Sequence, residues 1–304
     1  MDNTRQKARN IGNSTVFDIV LTIIMLLLAV VTLYPFLNVL AISFNDAYDT
    51  IKGGIHIWPR MFTWNNYAEI FKDANLLVAF RNSVLRTIIG MITGVFCSTM
   101  MAYTLSRRDF IARRAFSLLF AVTMYVGGGL IPSYLLMRQL GLFGTFTVYI
   151  LPGLISTWNV FVLRSYIDGL PESIQESARV DGANDVVIFL RIILPLCKPV
   201  MATVALFVAV GQWNSWFDSY LYNNAKPELT TLQYELQKIL TASTIVLTSA
   251  SDQMAIDALT RQSRVTPEAL KMAMSMVVTA PVLIVYPFLQ KYFVTGLTMG
   301  AVKS

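Results

Sequence analysis

The stretch ESARVDGANDVVIFLRIILPLCKP, residues 176–199, places six charged side chains and a glycine between two very apolar parts of the chain. Pro171 and Glu172 are suited to the start of a helix, and Gly182 is suited to a helix C-terminal cap. This pattern predicts a short amphipathic helix of about three turns that lies outside a membrane. Asn184 can then cap a second helix, DVVIFLRII, ahead of the next apolar segment.

The composition indicates a membrane protein. Of the 304 residues, 55% are hydrophobic and only 14% are charged, whereas soluble domains carry about 25% charged residues. We therefore expect lipid to cover much of the molecule, and we predict an all-α membrane protein. Cys97 and Cys197 lie in apolar segments and are interpreted as packing residues rather than a disulfide or metal pair. His56 is the only histidine, which excludes a histidine-cluster metal site, and no metal is predicted.

Six segments are long and apolar enough to cross a bilayer, which takes about 20 residues per helix. They are residues 17–42, 83–105, 115–137, 145–166, 193–213 and 273–294. The first follows three basic residues as a signal peptide would. Its apolar run is too long for one, however, and no cleavage site follows, so we interpret it as an uncleaved span.

The distribution of Lys and Arg predicts the orientation. The N-terminal tail carries three, the loop RRDFIARR (107–114) four, and the 164–198 segment four more, whereas the short loop RQLGLFGT has only Arg138. Arg81 and Arg86, at the outer start of the second span, weaken this contrast without reversing it. Both termini and the 164–198 segment are therefore predicted to be cytoplasmic. The basic residues are interpreted as topology signals, and no nucleic-acid partner is predicted.

Several spans contain residues that disfavour a regular helix. Three glycines (127–129) and Pro132 are predicted to interrupt the third span, Pro152 lies in the fourth, and Pro281 and Pro287 lie in the sixth. Such breaks fit helices that line a path and change shape, although ordinary kinking is the alternative. Gly90 and Gly94 form a G-x-x-x-G pair that permits close helix approach.

The two long outer segments, 45–80 and 214–272, also carry helix signals. Leu232 and Leu236 recur at helical spacing, and Thr266 followed by Pro267 predicts the start of a helix that runs into the sixth span.

The spacing E-[AS]-A-x3-G-x9-I-x-L-P gives the stretch at 176–199 a specific resemblance. Its positions are met by Glu176, Ser177, Ala178, Gly182, Ile192, Leu194 and Pro195. This pattern resembles the EAA loop of bacterial ABC-importer permeases, and Ser177 stands where alanine is commonest. Asp181, before Gly182, further resembles the carbohydrate-importer branch, as do AYTLSRRDF (102–110), QWNSWFDSYLY (212–222) and QKYFVTGLTMGAVKS (290–304). The resemblance is to the maltose-type permease with six spans, and more closely to permeases for oligosaccharides from plant or algal polysaccharides.

The resemblance implies a type I ABC importer permease fold with a cytoplasmic coupling helix. The helix would dock in a groove of an ATP-hydrolysing subunit through Glu176, Ser177, Ala178, Asp181 and Gly182. The implied layout is a cytoplasmic tail (1–15), a transmembrane domain (16–295) with outer segments 45–80 and 214–272 and coupling loop 167–192, and a cytoplasmic tail (296–304).

The implied partners follow from the same resemblance. They are a second homologous permease forming a heterodimer, a homodimeric ATPase, an extracellular solute-binding protein, an oligosaccharide substrate and membrane lipid. The protein would lie in a bacterial plasma membrane. It would hold no cofactor of its own, with ATP-Mg bound on the partner ATPase.

The residues of the chain leave other classes of protein with less support. No G-x-x-x-x-G-K-[ST] motif is present, so this chain is predicted not to be an enzyme that hydrolyses ATP itself. An ion-coupled secondary sugar transporter is the main alternative, but the span centres hold no Asp or Glu. An intramembrane enzyme lacks the residues for a nucleophile and base, and a channel would not explain the docking pattern.

Substrate contacts are predicted from aromatic and amide side chains near span breaks and ends. The candidates are Tyr125, Asn159, Gln212, Trp213, Asn214 and Trp216. Interfacial aromatic residues and helix caps are the alternative interpretation for each. In the maltose-type arrangement the partner permease could bind the sugar instead.

Overall fold

The computed structural model describes the backbone of residues 15–246 and 265–301, and the side chains of 17–241 and 265–285. Within these ranges the protein is helical and has no strand; Asn45 and Phe62 form an isolated β-bridge. The longer helices are α1 (Thr15–Ser43), α4 (Ala74–Ser106), α5 (Arg113–Tyr125), α6 (Leu130–Gln139), α7 (Thr157–Ile167), α8 (Glu172–Val180), α11 (Lys198–Asn214), α13 (Leu232–Val246) and α14 (Pro267–Ala301). The short helices are α2 (Ala47–Ile51), α3 (Asn65–Ile70), α9 (Asp185–Ile188), α10 (Leu194–Leu196) and α12 (Phe217–Asn223).

The prediction of six spans agrees with the helices of the described residues. Three of them are individually long and apolar enough to cross a membrane: Phe17–Ser43, Ala74–Ser106 and Pro267–Val285. Three bent pairs raise the number to six if each pair is one span. The bends are 120° between α5 and α6, 48° between Phe146–Gly153 and α7, and 80° between Asp185–Leu196 and α11.

The break predicted in the third span is confirmed. The helix ends at Tyr125 and restarts at Leu130, and Gly129 has a φ of +79°. Three consecutive residues without a Cβ leave the backbone free to turn, and a φ in the left-handed region suits glycine. The 120° bend is far larger than a proline kink.

Two other predicted spans are less regular than a single helix. In the fourth, Pro152 lies in a 3₁₀ segment (Leu151–Gly153) that follows another (Phe146–Tyr149), and α7 starts only at Thr157. In the fifth, a π-helix (Phe189–Ile193) precedes α10, and the axis then bends at Cys197, a break that the sequence analysis did not predict.

The unpredicted bend at Cys197 has a local cause. Pro199 lies in the first turn of α11. Its nitrogen cannot donate to the carbonyl of Pro195 four residues earlier, so one helical hydrogen bond is missing at this point.

The prediction that proline breaks the sixth span is wrong. The helix α14 continues without interruption through Pro281 and Pro287, as α1 does through Pro35. A proline removes one hydrogen bond, and neighbouring groups can compensate within a membrane helix. The predicted start is confirmed: α14 begins at Pro267, and the Ala269 N–H donates to Thr266 Oγ1 at 3.2 Å.

The chain divides into two compact units, of which the larger comprises residues 70–250 and 277–304. The helix α8 and the cavity beside Arg86 both lie in this larger unit. Its apolar core is formed by α4, α7 and the segment from α9 to α11. Fully buried members include Ala102 and Leu105 of α4, Leu163 of α7 and Val204 of α11. Because of this packing, α4 contacts both the region of α8 and the cavity beside Arg86.

In the smaller unit, the segment that follows α1 is held by polar contacts. The buried Asn45 donates to the Asp49 carboxylate at 3.1 Å, and Arg60 Nε pairs with the same carboxylate at 3.0 Å. These contacts, the Asn45 hydrogen bond first, lower the pKa of Asp49.

Candidate functional site

The helix predicted at the opening stretch is present as α8, and its C-terminal cap is formed by Gly182. The helix spans Glu172–Val180 and has no buried residue. Gly182, with a φ of +82°, donates to the Arg179 carbonyl at 3.0 Å, and Ala183 donates to the Ala178 carbonyl at 2.9 Å. This pair of bonds is a Schellman motif, in which a left-handed residue ends the helix. The predicted roles of Gly182 as a cap and of Asn184 as the next N-cap are both confirmed, since Asn184 accepts from the Val187 N–H at 2.9 Å.

The residues expected to dock on a partner divide between two faces of this turn. Glu176, Ser177 and Asp181 are exposed, and Ala178 is half-buried against the apolar core. Among the described residues, Glu176 has no ion-pair partner. The geometry therefore presents a free carboxylate and a small hydroxyl outward from a helix that is fixed on its inner side.

The loop between α4 and α5 contacts the same region, which the sequence analysis missed. Arg107 forms ion pairs with Asp109 and with Asp185, the first residue of α9, and Arg108 pairs with Glu172, the first residue of α8. The hydrogen bond from Arg107 lowers the pKa of Asp109 to about 2. A positive charge in a loop predicts topology, but it does not identify a carboxylate 78 positions away in the sequence.

A second site is a cavity of about 320 Å³ bounded by α4, the two 3₁₀ segments, α7 and α11. Its polar lining residues are Arg86, Ser156, Asn159, Gln212, Ser215, Asp218 and Tyr222. Its volume is within the usual range of ligand sites, about 300–1,000 Å³. Irregular backbone at membrane depth is tolerated where it lines a cavity, which accounts for the broken helix at Phe146–Gly153.

Two of the predicted substrate-path residues, Asn159 and Gln212, lie in the wall of this cavity. Asn159 is 7% exposed, and among the described residues its amide has no hydrogen-bond partner. Gln212 accepts from Arg86 at 3.0 and 3.1 Å and donates to the Tyr149 carbonyl at 3.3 Å. The Asn159 amide thus lines the cavity without a partner among the described residues, whereas the Gln212 amide is already engaged.

The structure does not bring the other four predicted path residues into the cavity wall. Tyr125 is 88% exposed, and Asn214 is also exposed. Trp213 is buried, and its indole N–H donates to the Val278 carbonyl at 3.1 Å. Trp216 lies in an aromatic cluster with Phe217 and Tyr220. For Trp213 the contacts indicate a packing role.

The strongest polar feature of the cavity is Arg86, whose side chain is only 2% exposed. Its guanidinium pairs with Asp218 at 2.5 and 3.1 Å and lies 4.5 Å from the centre of the Tyr149 ring. The sequence analysis treated Arg86 only as an exception to the charge distribution. The sequence did offer one indication: Arg86 lies within the predicted span 83–105, and an arginine inside a span usually has a buried partner.

Gly90 and Gly94 let α4 approach α11 beside this cavity. A Cβ on Gly90 would lie 2.8 Å from the Gln212 side chain, and one on Gly94 would lie 3.5 Å from Val208. The predicted close helix approach is confirmed, and its partner is α11.

The comparisons with known proteins agree with this architecture. The family described as "Binding-protein-dependent transport system inner membrane component" matches residues 90–299. The chain belongs to this family. The resemblance to ABC-importer permeases that the EAA spacing indicated is thereby confirmed.

Relatives in this inner-membrane-component family cover nearly the whole chain. The polygalacturonan/rhamnogalacturonan transport system permease protein YtcP of Bacillus subtilis (strain 168) is 35% identical over 288 residues, 95% of this chain and 98% of that protein. Protein LplC of the same organism is 36% identical and covers 95% of each chain. The arabinooligosaccharides permease AraQ of Halalkalibacterium halodurans is 30% identical over 96% of this chain and 98% of that protein.

A solved structure has the same fold. It is the crystal structure of a bacterial ABC transporter involved in the import of the acidic polysaccharide alginate. It matches with a TM-score of 0.81 and 28% identity over 92% of this chain and 97% of that one. The chain is therefore a permease subunit of a binding-protein-dependent ABC importer and a membrane component rather than an enzyme. Nothing in these comparisons supports the ion-coupled alternative.

Proposed function

We propose that this permease subunit forms half of the path by which an oligosaccharide crosses the bacterial plasma membrane. A solute-binding protein delivers the sugar from outside, a second homologous permease completes the path, and two copies of a separate ATPase, which hold ATP-Mg, drive transport. The proposal is supported by the substrates for which the relatives are named, polygalacturonan/rhamnogalacturonan and arabinooligosaccharides, and by the alginate imported by the transporter of the structural neighbour. The shared chemistry is a chain of sugar rings, some of them acidic.

The geometry of α8 carries the coupling part of the proposal. An exposed helix with no buried residue, ended by Gly182 and presenting a free Glu176 carboxylate, is suited to a groove on another subunit. Glu176 pairs there with a basic residue, Ser177 and Ala178 permit close packing, and Gly182 with Asp181 makes the turn. On this proposal α8 and both termini lie on the cytoplasmic side.

The cavity carries the substrate part. Asn159 supplies an amide that has no partner among the described residues, and Tyr149 and Tyr222 line the same cavity. Sugars are recognised by amide and hydroxyl hydrogen bonds together with aromatic faces, so this cavity is the proposed contact of the subunit with sugar. Gln212 accepts a hydrogen bond from Arg86 and so stabilises the wall of the cavity.

The experiment is uptake by the complex that copurifies with the tagged chain, reconstituted in liposomes with its binding protein. Oligogalacturonides, arabinooligosaccharides and galactooligosaccharides are the probes. We expect ATP-dependent accumulation of at least one probe, with no dependence on an ion gradient. Accumulation by this chain alone, or uptake driven by an ion gradient without ATP, would contradict the proposal.

A glycine pair tests the role of α8 within the same assay. Gly182 and Gly141 have φ values of +82° and +67°, and neither would place a Cβ within 4 Å of another group. Replacement by alanine therefore strains both turns by a similar amount, about 1–2 kcal/mol. We expect Gly182→Ala to lower uptake much more than Gly141→Ala, because only the former turn is at the docking helix. Equal uptake by the two variants would argue against docking through α8.

A further inference from the structure

The loop between α4 and α5 forms ion pairs with the chain before α8, at its first residue and after it. These contacts suggest a role for the loop in addition to the docking of α8. Residues 107–113 carry three arginines whose carboxylate partners lie before, at the start of, and after that helix. The partners are Asp168 just before α8, Glu172 at its first position and Asp185 at the start of α9.

Arg107 is the firmest of these anchors. Its side chain is 11% exposed and pairs with Asp109 and Asp185, and it also donates to the Tyr103 hydroxyl at 3.0 Å. The Tyr103 ring in turn stacks on Phe189, with centroids 5.6 Å apart. A guanidinium presents five donors in a fixed planar fork, so it holds two carboxylates in a defined geometry that the freely rotating ammonium of a lysine does not impose. The end of α4 is therefore joined by charge and by ring packing to the segment that follows α8.

The other two contacts are looser. Arg108 and Glu172 are 3.3 Å apart, and both side chains are more than half exposed. Arg113 is 4.0 Å from Asp168, which Arg164 of α7 also holds at 3.4 Å. Exposed pairs contribute little to stability and break readily. Of the three contacts, the one after α8 is thus the only one whose arginine is nearly buried, and it joins that segment to the end of α4.

We propose that this arginine loop is a second element of the coupling apparatus, with Arg107 as the positioning residue that transmits the displacement of α8 to α4. The inference rests on the proposed function, because it requires that α8 is moved by an ATPase. When α8 moves, the turn at Gly182 transfers the movement to α9, whose first residue, Asp185, is paired with Arg107. The movement then passes into α4, whose core residues contact α7 and α11 and whose Arg86 lines the cavity.

The test compares Arg107→Ala with Arg114→Ala in the reconstituted complex. Arg114 lies close to the same loop, is exposed and has no ion pair among the described residues, so both variants remove one positive charge from one side of the chain. The measured quantity is oligogalacturonide, or whichever probe the wild type accumulates, transported per ATP hydrolysed. Coupling between sites typically corresponds to a factor of about 5–150. We expect the Arg107→Ala complex to hydrolyse ATP but to transport at least about fivefold less probe per ATP than the wild type. The Arg114→Ala complex should transport as much probe per ATP as the wild type.

The outcomes separate this inference from the function on which it rests. If the wild-type complex accumulates no probe, the proposed function fails. If the wild type transports and Arg107→Ala keeps the same ratio, the positioning role is overturned while the proposed function stands.

Asp185→Asn decides the matter if Arg107→Ala does not assemble, because it removes the Arg107–Asp185 ion pair from the other side with little change in shape. We expect Asp185→Asn to lower the amount of probe transported per ATP hydrolysed. The wild-type ratio in this variant would overturn the positioning role of Arg107.

Discussion

Two arginines, Arg86 within α4 and Arg107 directly after its last residue, differ in what they join. Arg86 and Arg107 are separated by about 30 Å along the helix axis. Arg86 is sealed at 2% exposure and binds Asp218 and Gln212 beside the cavity, whereas Arg107 is at the helix end and binds Asp109 and Asp185 next to α8. The first joins helices that enclose the cavity, and the second joins α4 to the segment that follows α8. The two ends of α4 are therefore joined to different parts of the molecule, and on the coupling proposal a displacement of α8 would reach the cavity through this helix.

The largest effect is expected from removing the sealed arginine. Arg86→Ala leaves the Asp218 carboxylate and the Gln212 amide without their partner. Removing one member of a buried pair costs about 3–5 kcal/mol. We expect a marked drop in the melting temperature of the purified complex.

The matched control for Arg86 is Arg81→Ala. Arg81 is exposed on the same helix and has no ion pair among the described residues. Its removal should leave the melting temperature almost unchanged. Equal losses from both variants would mean that the Asp218 pair does not stabilise the fold.

A smaller effect should come from the glycines that face α11. Gly90→Ala places a Cβ 2.8 Å from Gln212 and forces that side chain away from Arg86, whereas Gly94→Ala makes an ordinary contact at 3.5 Å with Val208. Overpacking typically costs about 1–3 kcal/mol. We expect Gly90→Ala to lower the melting temperature of the complex and Gly94→Ala to leave it nearly unchanged. The reverse order would contradict the close approach of Gly90 to Gln212.

Asn159 should affect transport more than stability. Its amide lines the cavity and is unpartnered among the described residues, so Asn159→Ala removes a polar group without breaking an internal bond. A lost hydrogen bond to an uncharged ligand costs about 0.5–1.5 kcal/mol, or roughly 2- to 13-fold in affinity. We expect kcat/KM for the transported probe to fall by that factor at an unchanged melting temperature.

The control for this prediction is Asn214→Ala, at the exposed end of α11. It should leave uptake unchanged. A loss of stability without a change in uptake by Asn159→Ala would assign that residue to packing instead.

The smallest effect concerns pH at the other end of α4. The pKa of Asp109 is lowered from 3.8 to about 2 by Arg107, so its pairing stabilises the folded protein above about pH 4 and is lost as the pH falls towards 2. Because the carboxyl is exposed, we expect a contribution below about 1 kcal/mol. The difference in melting temperature between wild type and Asp109→Asn should be constant from pH 5 to 8 and should narrow below pH 4. A difference that vanished near neutral pH would show that the pair does not form.

Features that depend on a few adjacent residues could be predicted from the sequence. The cap at Gly182, the N-cap at Asn184 and the start of α14 at Pro267 follow from local backbone chemistry, and each is present in the structure. The spans were predictable because bilayer thickness fixes their length and apolar character. The family was predictable because the EAA spacing is specific.

Features that depend on distant residues could not be predicted. Arg86 meets Asp218 across 132 positions and Arg107 meets Asp185 across 78, so neither pair leaves a local pattern. The effect of a proline also depends on its surroundings. Pro281 lies in an unbroken helix, whereas the chain bends at Cys197 next to Pro199. The sequence pattern around these two prolines does not predict which of them bends the helix. Candidate path residues were chosen by chemical type alone, and only the fold could separate Asn159 from Trp213.

The most direct test of the account is the accessibility of α8 in membrane vesicles. Ser177→Cys is labelled with a membrane-impermeant maleimide. The wild type, whose Cys97 is half-buried in α4 and whose Cys197 is buried, gives the background labelling. The account predicts labelling only in inside-out vesicles stripped of the ATPase, and protection when the ATPase is added back. Labelling of intact cells from outside, or labelling that the ATPase does not reduce, would contradict it.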